Sequence, residues 1–173
     1  MPLPLQTERL VIRPYREEDA TPLHEVFGSP EVMKWTPSAP SKDVAETAQR
    51  LARTMAFTAR QPAGMGLWAL ELKTSSEFLG QVGLFPVEGK GPEVEVAYEL
   101  APRVWGHGYA TEAARALVDY GFGELRLQRI VALILPDNAR SRNVASKCGL
   151  ILERPGRFYG LDLVVYARER PVG

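Results

Sequence analysis

The chain contains few cysteine and histidine residues. Its 173 residues include one cysteine, Cys148, and two histidines, His24 and His107. A disulfide framework needs paired cysteines, and structural zinc needs clustered cysteine or histidine ligands. Both kinds of stabilisation are therefore excluded, and we predict no metal site. A chain of this length buries enough apolar surface to fold without them, as one domain over residues 1–173.

The sequence also lacks net charge and long apolar runs. Lys+Arg 21 and Asp+Glu 21 cancel, so no overall field favours nucleic acid or an anionic membrane as a partner. No apolar run reaches the roughly 18 residues of a membrane-spanning helix. The opening MPLPLQTERLVIRP is unlike a secretory signal, because no basic region precedes an apolar stretch. We expect a cytoplasmic monomer or homodimer that must hold any bound anion with local groups.

Residue spacing predicts four strands and two helices up to Leu100. Arg9–Tyr15 alternates like a strand, and Arg16–Phe27 has the acidic start and apolar side of a helix. A proline-rich loop, 28–41, follows, and a second helix begins at a Ser41 cap and runs to about Arg60. Three strands with short connections form an antiparallel meander at 67–72, 78–87 and 93–100.

The remaining sequence alternates helix and strand. The apolar stripe Ala110–Phe122 predicts a helix from about residue 108, and the apolar run Arg129–Leu135 predicts a strand covered on both faces. Asp137 or Asn138 then caps a short helix, and two final strands meet around Tyr159. The order is β-α-α-β-β-β-α-β-α-β-β, which indicates the α/β fold class.

Two glycines, Gly106 and Gly108, stand at the start of the helix near residue 108. A helix N-terminus has unpaired N–H groups and a positive dipole end, and preceding glycines let a loop point N–H groups at a phosphate. The spacing is neither the dinucleotide fingerprint nor a P-loop, so a tight turn without a ligand remains an alternative. A second polar helix start comes later. It carries Asn138, Arg140, Ser141, Arg142 and Lys147.

The stretches YELAPRVWGHGYATEAARALVDYGF and RIVALILPDNARSRNVASKCGL resemble the GNAT superfamily of acetyl-CoA-dependent N-acetyltransferases. The opening TERLVIRPYREEDATPL is similar to that of its Rim-type branch, the ribosomal-protein N-acetyltransferases, so the likeness covers nearly the whole chain. It implies a mixed sheet that splays between the strands at 93–100 and 129–135. It also implies acetyl-CoA as co-substrate and no metal.

The resemblance further implies how coenzyme A is held. The loop Arg103–Gly108 would wrap the diphosphate, and the pantetheine arm would enter the gap between the splayed strands. The implied coenzyme-binding set is Tyr98, Leu100, Arg103, Val104, Trp105, Gly106, His107, Gly108, Tyr109, Ala110, Thr111, Asn138, Ser141, Arg142 and Lys147.

Direct acetyl transfer needs a neutral amine and a proton for the departing thiolate. A carboxylate or an ordered water can take the amine proton, and we expect Glu99 to do so because it ends the strand beside the thioester. Glu95 lies on the same strand face and is an alternative base or a substrate contact; a solvated strand face remains possible for both. Ser141 is the candidate donor to the sulfur, unless it only contacts backbone. Trp35 and Tyr159 are candidate acceptor contacts; the alternatives are that Trp35 fills the core and that Tyr159 is only a turn residue.

One mechanism of the Rim-type branch cannot be carried over to this chain. Its glutamate and tyrosine fall at Leu133 and Ala145, which supply neither function. Of the remaining reactive residues, His107 is predicted to lie near phosphate, His24 to be partly exposed, and Cys148 to pack in the core.

The sequence leaves two functions open. The first is an enzyme that moves acetyl from acetyl-CoA to a primary amine, which is either a protein N-terminal α-amine or a small molecule. The second is a non-catalytic acyl-CoA-binding domain with a sensory or regulatory role. No motif names the acceptor.

Overall fold

Eight strands form one mixed sheet in a computed structural model of the chain, which describes residues 4–171. The strands are β1 (Leu5–Gln6), β2 (Leu10–Arg13), β3 (Gly66–Leu72), β4 (Phe78–Pro86), β5 (Val94–Leu100), β6 (Arg129–Ile134), β7 (Ile151–Phe158) and β8 (Leu161–Glu169). The helices are α1 (Ala20–Phe27), α2 (Pro30–Met33), α3 (Val44–Ala59), α4 (Tyr109–Gly123) and α5 (Ala139–Lys147). Single 3₁₀ turns lie at Glu17–Asp19, Val87–Gly89 and Pro102–Val104.

The sheet opens in its middle. Its strand order is β1-β2-β3-β4-β5-β6-β8-β7, and β5 and β6 are parallel neighbours. Their ladder consists of two residue pairs, Val94 with Ile130 and Glu95 with Val131. The rest of β5 pairs along its other edge with β4. The predicted splay between these two strands is therefore confirmed.

Helix α4 covers the sheet with the apolar stripe that its sequence predicts. Its buried residues recur at helical spacing, and Leu117 is fully buried against the core that also contains Leu84 and Ile130. Burial of a side chain of this size contributes roughly 1.5–3 kcal/mol. This packing holds the start of α4 beside the end of β5, so that the loop between them borders the opening in the sheet.

Most predicted elements are present with small shifts of their ends. The meander is β3, β4 and β5, and the final hairpin is β7 and β8 around Tyr159. Of the two candidate caps for the short helix α5, Asn138 is the cap, because its side chain accepts a hydrogen bond from the N–H of Ser141 at 3.2 Å. The predicted first helix begins as the 3₁₀ turn Glu17–Asp19 before it continues as α1.

Three details of the amino-terminal half differ from the prediction. Helix α3 is capped by Asp43, whose carboxylate accepts from the N–H of Glu46 at 2.8 Å, and not by Ser41. Ser41 lies two residues before this cap, and its buried hydroxyl accepts from Arg50 at 3.0 Å. The loop at 28–41 contains the short helix α2, and β1 precedes the predicted first strand.

Candidate functional site

A cavity of about 790 Å³ occupies the opening between β5 and β6 and continues under α3. It is bordered at one end by the glycine loop before α4, and along its length by residues of β5 and α5. Its other walls come from α2, α3 and the β7–β8 hairpin. The cavity therefore joins the implied coenzyme site to the candidate acceptor residues in one continuous space.

Both glycines of the loop adopt left-handed backbone. Gly106 has φ +81° and Gly108 has φ +79°, a region that side chains other than glycine rarely occupy. Gly108 is also the N-cap of α4 and offers no capping side chain. The first turn, with Tyr109, Ala110 and Thr111, lines the cavity. An uncapped helix start beside glycines can hold a diphosphate with its N–H groups.

Arg9 attaches this loop to the amino-terminal segment. Its Nη1 donates to the carbonyl of His107 at 3.0 Å, its Nε donates to Glu112 at 2.6 Å, and its guanidinium lies 4.7 Å from the centre of the Tyr109 ring. The Nη2 atom is 3.5 Å from the place of a Cβ on Gly108. Sequence reasoning missed this cation, because Arg9 precedes the strand β2 and no local pattern links it to the loop.

Three side chains of the implied coenzyme-binding set, those of Arg103, His107 and Arg142, lie outside the cavity lining. Arg103 donates to Glu25 at 2.6 Å and to the Phe78 carbonyl at 2.8 Å, and it also pairs with Glu77. The His107 ring stacks on a neighbouring ring and lies near loop carbonyls. Arg142 donates to Tyr166 and to a backbone carbonyl. These ion pairs and hydrogen bonds hold the side chains away from the opening.

Two other cations of α5 do line the cavity. Arg140 is stacked 4.2 Å above the Trp105 ring, and Lys147 lies at the end of the helix. The ring is fixed in turn, because Trp105 Nε1 donates to the Leu100 carbonyl at 2.9 Å. Of the cations around the second helix start, Lys147 and Arg140 therefore lie where a phosphate group could reach them, Arg140 with a long exposed ion pair to Glu31 at 3.9 Å, whereas Arg142 does not.

Tyr98 and Ser141 join β5 to α5. The Tyr98 hydroxyl donates to the Ser141 carbonyl at 2.8 Å and accepts from the Ser141 hydroxyl at 3.2 Å. Burial raises the pKa of Tyr98 well above its ordinary value, so the phenol stays protonated at neutral pH. Both hydroxyls line the cavity, and they form a protonated pair at its wall.

Glu95 lies at the point where β5 and β6 separate. Its side chain is buried, and Oε2 accepts a hydrogen bond from the Tyr159 hydroxyl at 2.8 Å. Burial raises the pKa of Glu95 to about 7, the Tyr159 hydrogen bond opposes that rise, and the charge of Glu99 adds to it. A carboxyl with this pKa exists in both protonation states near neutral pH.

Glu99 is half-buried on the same strand, and it belongs to a different hydrogen-bond chain. Its Oε2 accepts from Gln81 Nε2 at 3.0 Å, and Gln81 Oε1 accepts from the buried Tyr15 hydroxyl at 2.9 Å. Burial raises the pKa of Glu99, while the charge of Arg50 and the Gln81 hydrogen bond lower it. The two carboxylates thus have separate partners along one strand.

Aromatic and cationic side chains form the wall opposite β5. Trp35 and Met33, from the proline-rich loop, both line the cavity. Arg50 lies over the Phe27 ring at 4.3 Å and donates to the Ala39 carbonyl at 2.9 Å. This wall is amphipathic, so it can contact both apolar and charged parts of a ligand.

The remaining reactive side chains are placed as the sequence predicts. Cys148 is buried, and burial raises the pKa of its thiol to about 11, so the thiol is protonated and is not a nucleophile. His24 is partly exposed, with Nδ1 2.8 Å from the Thr47 hydroxyl.

Leu133 lines the cavity and Ala145 is buried in the core, so the Rim-type glutamate and tyrosine have no counterpart there.

Two kinds of feature are not found among residues 4–171. No group of three or more His, Cys, Asp or Glu side chains in this range could hold a metal ion. Within the same range, no helix is both long enough and apolar enough to cross a membrane.

Comparison with known proteins identifies the family. The sequence model of the acetyltransferase (GNAT) domain matches residues 9–151. The Bacillus subtilis protein YkkB is 37% identical over an alignment of 169 positions that covers 95% of this chain and 95% of YkkB. A GNAT acetyltransferase structure from Bacillus anthracis superposes with a TM-score of 0.82 at 26% identity, covering 96% of this chain and 98% of the other.

A Rim-type enzyme shares the fold at lower identity. RimL, a ribosomal α-N-protein acetyltransferase solved in complex with coenzyme A, has a TM-score of 0.79 at 18% identity and covers 96% of this chain and 97% of its own. The domain match covers most of the residues, including β5, the glycine loop and α5. The chain therefore belongs to the GNAT family of acetyltransferases.

Proposed function

We propose that this protein transfers the acetyl group of acetyl-CoA to a primary amine, with Glu95 as the general base. The observation that carries the proposal is the position of Glu95: it lies at the closed end of the gap between β5 and β6, while the glycine loop lies at the open end. Acetyl-CoA supplies the activated thioester. The family match and the coenzyme A complex of RimL support this choice of co-substrate.

The length of β5 supports Glu95 over Glu99 as the base. Val96–Leu100 lie between Glu95 and the loop, and their edge toward β6 is unpaired in the ladder. A pantetheine arm is about as long as four or five extended residues. With the diphosphate at Gly106 and Gly108, an arm of that length ends beside Glu95 and passes Glu99. We therefore propose Glu95 as the base in place of Glu99, which the sequence favoured.

The proton transfers follow from the protonation states of these side chains. Glu95 as a carboxylate accepts a proton from the ammonium group of the acceptor, directly or through a water. The neutral nitrogen then forms a bond to the acetyl carbon, and the carbon–sulfur bond breaks. The bonded nitrogen loses one further proton while the departing thiolate gains one, so this step moves a proton from nitrogen to sulfur, and the hydrogen-bonded hydroxyls of Tyr98 and Ser141 can relay it. We propose Ser141 as the donor that contacts the sulfur.

Glu99 and the opposite wall are proposed to select the acceptor. Glu99 lies about four strand residues from Glu95, too far to act on the same nitrogen, but it can attract a second positive charge on the acceptor. Trp35 would contact its apolar part. The acceptor is either a protein N-terminus, as the name of RimL indicates for that enzyme, or a small amine.

The test is release of free thiol from acetyl-CoA across a panel of N-terminal peptides and small amines. We expect release with at least one class of amine, and a matching gain of 42 Da on the acceptor, which is about the mass of one acetyl group replacing hydrogen. Coenzyme A binding without thiol release for any amine would favour the alternative, a non-catalytic acyl-CoA-binding domain.

A further inference from the structure

Two loops that are distant in the sequence are joined by a reciprocal pair of hydrogen bonds. The N–H of Glu88 donates to the Tyr159 hydroxyl at 2.9 Å, and the N–H of Tyr159 donates to Glu88 Oε1 at 2.8 Å. Glu88 belongs to the 3₁₀ turn after β4, whereas Tyr159 is at the tip of the β7–β8 hairpin. The side chain of each residue therefore binds the backbone of the other.

Both residues have an unusual backbone. Glu88 has φ +54° and Tyr159 has φ +53°, which is the left-handed region that residues other than glycine seldom occupy. Such a conformation costs free energy and persists where surrounding contacts enforce it. The reciprocal hydrogen bonds are contacts of that kind, and they fix the hairpin tip on the 3₁₀ turn.

The same contacts decide where the Tyr159 proton points. A phenol hydroxyl has one hydrogen to donate, and its oxygen already accepts from the Glu88 N–H. Its hydrogen is therefore directed to Glu95 Oε2, at 2.8 Å. We infer that Glu88 is a positioning residue: by holding the Tyr159 backbone it keeps the phenol in place as a hydrogen-bond donor to Glu95. Tyr159 then acts on the carboxylate and not, as the sequence suggested, on the acceptor.

The other groups that face Glu95 do not supply this donor. Its partners on the neighbouring strands, Phe85 on β4 and Val131 on β6, carry no charge. Along β5, the charge of Glu99 opposes ionisation of Glu95, and the Tyr98 phenol donates to Ser141. Among the described residues, it is the Tyr159 hydroxyl that donates a hydrogen bond to the Glu95 carboxylate.

The inference is tested on the protein without ligands, by carbon NMR titration of the Glu95 carboxyl. Tyr159→Phe removes the donor and should raise the pKa of Glu95 by roughly one unit, as loss of a hydrogen bond to a charged group implies. Glu88→Ala removes the acceptor for the Tyr159 N–H and should raise it in the same direction by less. Glu88→Gln keeps an oxygen acceptor at the same place and should leave the titration of Glu95 as in the wild type.

If the pKa of Glu95 is unchanged in Glu88→Ala but raised in Tyr159→Phe, the role of Glu88 is overturned. An unchanged titration in both would overturn the role of Tyr159 as well. Thermal unfolding and coenzyme A binding of each variant check that the fold is intact. A merely structural Glu88 would lower the unfolding temperature without moving the titration.

The catalytic consequence of this inference rests on the proposed function, but the titration does not. If the proposed function holds, the acid limb of kcat/KM moves to higher pH in Tyr159→Phe and in Glu88→Ala, and returns in Glu88→Gln. If the titrations shift as expected while the acid limb stays in place, Glu88 positions Tyr159 and Glu95 is not the base. Failure of the inference and failure of the proposed function are thus distinguishable.

Discussion

Glu95 combines burial with a single strong hydrogen bond, and this has a consequence for stability as well as for chemistry. Burial raises the pKa of Glu95 from 4.5 to about 7 in the folded protein. Between these values the folded state holds a proton that the unfolded chain has lost, so the free energy of unfolding falls as pH rises. Above about pH 7 the full cost of burying the carboxylate is present, and below the unfolded pKa it is absent.

Glu95→Gln should remove this dependence, because the amide is neutral at every pH and still accepts from Tyr159. Relative to the wild type, we expect the variant to gain about 3 kcal/mol in the free energy of unfolding between pH 4.5 and pH 8. Urea denaturation at both pH values measures the gain. Glu8→Gln, at an exposed glutamate, is the control and should show no such gain. If the difference in the free energy of unfolding between Glu95→Gln and the wild type is the same at both pH values, the raised pKa assigned to the buried Glu95 is contradicted.

Arg9 is one of the residues that attach the glycine loop to the rest of the molecule, and coenzyme A binding should depend on it. Arg9→Ala removes the donor to the His107 carbonyl and the cation beside Gly108. We expect about tenfold weaker binding, equal to about 1.4 kcal/mol, measured by calorimetry. Arg157→Ala removes the same charge from an exposed ion pair with Asp162, and should leave the affinity unchanged. If Arg9→Ala binds coenzyme A as tightly as Arg157→Ala does, Arg9 has no part in coenzyme A binding.

At the scale of single elements, the loop before α4 is the part of the site that sequence predicts best. The two glycines and the apolar stripe behind them are local signals, and the structure places both glycines in left-handed backbone at the helix start. The cap of α3 shows the limit of such signals. Ser41 and Asp43 are equally good cap types by sequence, and the structure begins α3 at Val44, directly after Asp43, while the Ser41 hydroxyl binds Arg50.

Gly108→Val tests the loop. Valine at φ +79° is strained, and its side chain would crowd Arg9 Nη2. We expect a folded protein whose coenzyme A affinity falls at least tenfold, as measured by calorimetry. The control is Gly123→Ala at the other end of α4, where a Cβ meets no atom within 4 Å; it should bind normally. Unaltered binding in folded Gly108→Val would contradict the diphosphate site.

At the scale of the whole molecule, sequence predicts the elements but not the contacts that complete the site. Resemblance to the family gives the splay of β5 from β6, whereas β1 and α2 are too short to leave a clear periodic signal. Arg9 and Glu88 act through residues that are distant in the chain, and nothing near them in sequence indicates their partners. Arg103, His107 and Arg142 have the right residue types for a phosphate site, but tertiary contacts engage the two arginines and local loop contacts engage His107.

The order of residues along β5 supports Glu95, and not Glu99, as the group that accepts the amine proton. The most direct test is the pH dependence of kcat/KM, expressed per ammonium form of the acceptor, for the wild type, Glu95→Gln and Glu99→Gln. We predict that the wild type rises to a plateau with its midpoint at pH about 7, the pKa of Glu95. Near neutral pH, Glu95→Gln should be slower by about 10²–10⁴-fold and should lack that midpoint, whereas Glu99→Gln should keep it with a higher KM. A Glu95→Gln enzyme with the wild-type profile, beside a Glu99→Gln enzyme that has lost it, would contradict the account.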